Sequence, residues 1–232
     1  GINDASIRIG LRLSKDETIV RMPFEVRHMG SKYPIFSFDF TGAKRGVLPA
    51  SYDYLRLEGR MQYRLNLPPI GYSQLMLEGG KIFGKVPYLL LKLHEGNGTY
   101  FYDRYAFSCM NFYEFSSDAW ISFFYEHHFN GFLLGRVPLL KKLNWREVFV
   151  FKGVYGTLSA RNDGSLPNTK AVMLFPVGMS SVEHPYLETG FGIENIFRLL
   201  RVDCIWRLTH HRAVPGLSIP TFTVNFSLNL KF

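Results

Sequence analysis

The sequence predicts an all-β chain, an antiparallel transmembrane β-barrel of about ten strands, and three observations lead there. The last twelve residues alternate without a fault: Phe222, Val224, Phe226, Leu228, Leu230 and Phe232 are apolar, and the residues between them are polar. Such alternation is one strand with one apolar and one polar face. The same period of two recurs along the chain in segments of similar length. No run approaches the roughly 18 apolar residues of a membrane helix, so any meeting with lipid is by strands.

The segments follow in order. Ile7, Ile9, Leu11 and Leu13 oppose Arg8, Gly10 and Arg12; Val20, Met22, Phe24 and Val26 oppose Arg21, Pro23, Glu25 and Arg27; Phe36, Phe38 and Phe40 oppose Ser37, Asp39 and Thr41. The longest alternation sets Leu55, Leu57, Gly59, Met61, Tyr63, Leu65 and Leu67 against Arg56, Glu58, Arg60, Gln62, Arg64 and Asn66. At ~3.3 Å per residue it spans roughly 40 Å, long for a globular strand and suited to a tilted membrane strand. A Pro68-Pro69-Ile70-Gly71 turn leads to a strand over 72–83, and further strands are expected at 119–128, about 146–160, 187–194, 202–208 and 221–232. Helical periodicity competes only at 86–93 and 132–143, both inside connections.

The chain has 232 residues, enough for one domain over 1–232, with a net charge of +8 from 27 basic and 19 acidic residues. The basic residues are dispersed over the polar strand faces, so no nucleic acid is expected; a lumen or an anionic lipopolysaccharide surface accounts for them. Cys109 and Cys204 lie in apolar segments and are expected to be free. Gly1-Ile2-Asn3-Asp4 lacks the basic and apolar regions of a leader, so the chain is expected to begin after processing or within a longer protein.

With the C-terminus periplasmic, parity places the turns at 28–35, 68–71 and 196–200 on that side and the long 161–183 and 212–218 connections outside. The 130–144 connection also falls on the periplasmic side. The stretch at about 84–117 is too long and aromatic for a spacer and is expected to fold inward as a functional loop.

Glu126-His127-His128 and His210-His211 invite metal or catalytic readings, but consecutive strand residues point to opposite faces, so neither His pair chelates one ion. Glu126 and His128 share the inner face and are the candidates for a general-base pair. Arg56, Arg60 and Arg64 interleave with Glu58, and Arg8, Arg12, Glu188, Glu194, Arg201, Asp203 and Arg207 face the same side. A mixed-charge interior of this kind either pairs internally and plugs the barrel or lines a cationic path. No nucleophile elbow, phosphate loop or zinc spacing occurs, and no cofactor or metal is expected.

The strings GGKIFGKVPY (79–88), GNGTYFYDRYAF (96–107), EHHFNGFLLGRVPLLKKLNWREV (126–148), YLETGFGIENIFRLLRVDCIWRLT (186–209) and the terminal NFSLNLKF resemble the C-terminal barrel region of a Bacteroidota outer-membrane family of unassigned function. Its full-length members carry an N-terminal carboxypeptidase-regulatory-like domain. That family is distantly similar to BamA-like surface-antigen barrels of sixteen strands, which implies that the strands here are the later part of a larger barrel. The likeness also implies an inward loop whose Arg meets an acidic residue on a neighbouring strand. Arg104, in Tyr102-Asp103-Arg104-Tyr105, matches that Arg; Lys152 stands where the acid is expected, leaving Glu126 or Glu78 to serve.

The resulting expectation is a non-enzymatic transport or assembly protein of the cell outer membrane. Asp103, Arg104, Glu126, His128, Arg56, Glu58, Arg60 and Arg64 would form its lumen and loop contacts. Phe226, Leu228, Leu230 and Phe232 would be its insertion signal. Its partners would be the lipid bilayer, lipopolysaccharide, the barrel-assembly machinery and other envelope proteins. An outer-membrane hydrolase, a protease or lipase built on Glu126 and His128, is the alternative.

Overall fold

A computed structural model describes residues 3–22, 24, 26–47, 50–165, 171–212 and 218–228. In chain order the elements are β1 (Ile7–Leu13), β2 (Glu17–Arg21), β3 (Val26–Ser31), β4 (Ile35–Ala43), β5 (Tyr54–Asn66), β6 (Tyr72–Gly84), β7 (Lys92–Leu93), β8 (Phe115–Ser117), β9 (Ala119–His128), α1 (Pro138–Lys141), β10 (Arg146–Thr157), β11 (Ser180–Ser181), β12 (Tyr186–Ile196), β13 (Leu200–Arg207) and β14 (Phe222–Leu228). Apart from one-turn α1 and two short 3₁₀ turns, the regular structure among the described residues is all β, as the alternation predicts. Among the described residues no helix is long and apolar enough to cross a membrane.

Nine strands form one antiparallel sheet in the order β1-β4-β5-β6-β9-β10-β12-β13-β14. The longest pairing, β5 with β6, runs unbroken from Tyr54↔Gly84 to Asn66↔Tyr72. Gly71 closes their turn at φ +104°, where a Cβ would collide with the His128 carbonyl. The connections at 14–34, 67–71, 129–145 and 197–199 fall at one end of the sheet. Those at 44–53, 85–118, 158–185 and 208–221 fall at the other.

Two expectations need correction. The segment from Val20 to Val26 adds no strand to the main sheet: β1 pairs directly with β4, and β2 and β3 pair with each other as a separate ribbon. Alternation shows that a segment is extended but not which neighbour it takes. Among the described residues the sheet thus has nine strands, not ten, and β1 and β14 do not pair with each other to close it. Leu230 and Phe232 lie outside the described residues.

The sheet is strongly curved. Glu126 on β9 and Arg201 on β13 are three strand spacings apart, about 14 Å in a flat sheet, yet their side chains meet at 3.2 Å. The concave inner face is covered by the β6–β9 connection, residues 85–118. Phe107, Met110 and Phe115 of that segment pack with Met76, Phe124, Val154, Val182 and Tyr186. A second cluster sets Val86 and Leu91 against Tyr54, Ile82 and Trp120. Burying an aromatic side chain of this size contributes about 1.5–3 kcal/mol, so the segment is part of the core, not a surface loop. β7 and β8 within it pair with each other, and β11 adds to β8 in parallel.

The convex outer face carries the other half of every alternation. Ile9 is 65% exposed, Leu11 51%, Ile121 57%, Phe191 60% and Leu228 64%. The charged residues sit on the inner face: Glu126, Lys152, Glu188 and Asp203 are each at most 1% exposed.

Candidate functional site: a buried ion-pair cluster under the inward segment

Glu126 is the hub. Alternation along β9 turns Trp120, Ser122, Phe124, Glu126 and His128 inward, and β13 does the same for Arg201, Asp203, Ile205 and Arg207. Two groups of the covering segment reach Glu126: Arg104 Nε donates to Oε2 at 2.8 Å, and the Tyr102 hydroxyl donates to Oε1. From the sheet, Arg201 Nη2 donates to Oε1 at 3.2 Å, and Arg201 Nε donates to both Asp203 oxygens at 2.8 and 3.0 Å. Burial, and then Glu126, raise the Tyr102 pKa well above its usual value, so the phenol stays a neutral donor. Its ring lies between two cations, with Lys152 Nζ 4.5 Å and Arg201 Cζ 4.4 Å from the centroid. A carboxylate this deep is tolerated because its lone pairs are met by charged and hydroxyl donors.

Further anchors tie the segment's backbone to the inner face. Lys152 Nζ donates to the carbonyls of Asp103 at 2.8 Å and Ala106 at 2.6 Å. Glu188 accepts the Ser108 and Cys109 N–H groups at 2.8 and 2.7 Å and the Tyr186 hydroxyl at 2.6 Å. Arg207 donates to Glu114 at 2.6 Å and to the Cys109 carbonyl at 3.2 Å. At its near end, Lys92 Nζ bridges Glu78 at 2.7 Å and Glu95 at 2.9 Å. Burial opposes the Lys92 charge, but Glu95 and Glu78 outweigh it and raise its pKa. Tyr100 and Tyr102 also exchange backbone hydrogen bonds with Phe226, both at 2.7 Å, on the edge of β14 that faces away from β13.

The residues singled out from sequence divide between two places. Arg104, Asp103, Glu126 and His128 come together, and of the two acids suggested for Arg104 it is Glu126 that pairs with it. The Asp103 carboxylate accepts the Tyr105 N–H at 2.8 Å. His128 Nδ1 lies 3.2 Å from Glu194 and Nε2 3.4 Å from Glu126, while its ring stacks on Tyr72 at 4.5 Å. Both ring nitrogens thus face carboxylates, and the imidazole is 2% exposed. Arg56, Glu58 and Arg60 line β5 away from this cluster, whereas Arg64 borders it through Tyr72. Arg56 pairs with Glu58 at 2.7 Å, Arg60 with Glu78 at 2.6 Å, and the Arg64 guanidinium lies 4.0 Å from the Tyr72 ring centroid. Phe226 and Leu228 sit on the outer face.

Sequence reasoning missed the part played by Lys152, which it read only as a missing acid. Its signal was a lone lysine on the inward side of the apolar run Val148, Val150, Val154. Cys109 and Cys204 are both free. Among the described residues no group of His, Cys, Asp and Glu could hold a metal ion.

Chain and site together define a class: an antiparallel β domain whose polar inner face grips a long segment of its own chain through buried ion pairs. The chain belongs to the family of unknown function (DUF5686), C-terminal domain, which it matches over residues 3–160. No curated protein matches it.

Proposed function

We propose that this domain is an integral outer-membrane β-barrel protein that acts without enzymatic chemistry in transport or outer-membrane assembly. The 85–118 segment is its lumenal plug or gate. The observation that carries this reading is the inversion of a soluble fold: an exposed apolar or aromatic side chain occupies the convex face of each of the nine strands (Ile9, Phe40, Leu55, Phe83, Ile121, Tyr155, Phe191, Trp206 and Phe226), while Glu126, Lys152, Glu188 and Asp203 are buried on the concave one. Soluble monomers rarely expose contiguous apolar patches beyond a few hundred Å², whereas a lipid-facing strand surface must be apolar. On this reading the bilayer and lipopolysaccharide meet the outer face, the barrel-assembly machinery inserts it, and Phe226 and Leu228 belong to the insertion signal.

Further strands would complete a barrel at the free edge of β1 and along the edge of β14 outside Phe226, whose backbone Tyr100 and Tyr102 already engage. The packed interior, in which nearly every buried charge meets a partner, supports a closed resting state over a standing pore. The test is reconstitution. The protein should stay monodisperse only in detergent, enter liposomes, and give rare conductance events in planar bilayers that become frequent when the segment is released by Arg104→Ala. A protein monodisperse in plain buffer that leaves liposomes unbound contradicts the proposal.

A further inference from the structure

A cavity of about 540 Å³ opens at the end of the sheet that carries the β5–β6 turn. The β2–β3 ribbon, the facing ends of β5 and β6, and Arg104-Tyr105 of the inward segment build it, with Ile35 of β4 and Phe124 of β9 completing the wall. Its size lies within the range of small-molecule sites. Three cations line it, Lys32, Arg64 and Arg104, against one carboxylate, Asp16.

Arg104 is already matched by Glu126, although its side chain remains 36% exposed. Arg64 and Lys32 have no carboxylate partner among the described residues, and Arg64 is held over the Tyr72 ring. A fixed guanidinium and a free ammonium facing one cavity favour an anion.

Two amides refine the ligand. Gln74 Oε1 is buried, lines the cavity and has no hydrogen-bond partner. A buried acceptor left alone costs about 1–3 kcal/mol, so a ligand that brings a donor to it recovers that cost. The Gln62 amide donates only to the Met76 sulfur at 3.7 Å, a weak bond that a hydroxyl can replace. Tyr105, 42% exposed and braced edge-on by Phe124, adds an aromatic ring to the lining.

We propose that this cavity binds an acidic sugar, a hydroxylated ring bearing a carboxylate or phosphate, with the anion on Arg64 and Lys32 and a ring hydroxyl donating to Gln74. The inference goes beyond the membrane reading and does not depend on it, because binding is measured equally well in detergent or in buffer.

The experiment is calorimetric titration of the full chain with glucuronate, glucose 6-phosphate, glucose and inorganic phosphate. Both acidic sugars should bind at least tenfold more tightly than glucose or inorganic phosphate. Arg64→Gln, at an exposed position where folding is not at stake, should remove at least tenfold of that affinity. Gln74→Leu should weaken the sugars and leave phosphate unchanged. Displacement of bound glucuronate by lipopolysaccharide would assign the sugar to a lipid headgroup, and failure to displace it would assign it to a free solute. Acidic sugars that bind no better than glucose, bind Arg64→Gln equally, or are matched by phosphate alone would overturn the proposal.

Discussion

Replacing Glu126 with Gln should release the inward segment without unfolding the sheet, and the size of the effect follows from the contacts. Tyr102 and Arg104 belong to the segment, whereas Arg201 and His128 belong to the sheet, so only the first two bonds hold one to the other. A hydrogen bond to a charged group contributes about 1.5–3 kcal/mol and one to a neutral group about 0.5–1.5 kcal/mol. Gln therefore removes about 1 kcal/mol from each, or about 2 kcal/mol from the attachment. At 1.36 kcal/mol per tenfold, local opening should rise roughly 30-fold. Arg201 keeps Asp203, so the sheet retains its own pairing. Hydrogen exchange followed on peptides covering 97–107 and 119–128 measures this directly. The first should exchange roughly 30-fold faster and the second should keep its protection, with trypsin newly cutting after Arg104. Unchanged protection over 97–107, or equal loosening of both peptides, would refute the reasoning.

Two further outcomes concern titratable groups on the inward segment. Burial first, and the Lys92 charge second, lower the His94 pKa to about 3, below its usual 6.5. The neutral ring is the form that fits, so its contribution is complete above about pH 6.5 and is lost as pH falls toward 3, by up to about 1.4 kcal/mol per pH unit. Denaturant titrations between pH 7 and 4 should show that slope, and His94→Gln should flatten it; a variant with the wild-type slope would place the acid sensitivity elsewhere. Burial, with Glu188 adding to it, pushes the Cys109 thiol up to about 12, so the native protein should leave this residue unmodified by iodoacetamide at pH 8. Mass spectrometry finding carbamidomethyl on Cys109 before denaturation would mean that the segment opens far more readily than its anchors suggest.

Most of the sheet was legible because period two is written directly into strands with one polar and one apolar face. β9 spans Ala119–His128 as expected, and β5 falls within one residue of its expected Leu55–Leu67. Pairing was less legible. The alternation of Val20, Met22 and Phe24 resembles that of β1, yet β2 ends at Arg21 and folds back on β3 with Met22 and Phe24 between them, a choice set by neighbours far along the chain. The site was half legible. Inner-face charges follow from parity, and the family resemblance implied that Arg104 would meet an acid, leaving Glu126 and Glu78 open; the structure pairs it with Glu126. The hold of Lys152, Glu188 and Arg207 on backbone groups of Asp103, Ala106, Ser108 and Cys109 could not be anticipated, because residue type carries no information about which main-chain atoms a side chain will reach. The path of an irregular segment is set by such contacts, and this one has only β7 and β8 to mark its course.

In the proposed membrane setting the convex face meets hydrocarbon. Nitroxide labels placed singly at Ile9, Ile121, Phe191 and Phe226 in liposome-reconstituted protein, each compared for collision with oxygen and with a water-soluble nickel complex, test it most directly. High oxygen and low nickel accessibility are expected at all four, with the reverse at an exposed inner-face position such as Arg8. Nickel accessibility on the convex face equal to that at Arg8 would contradict it.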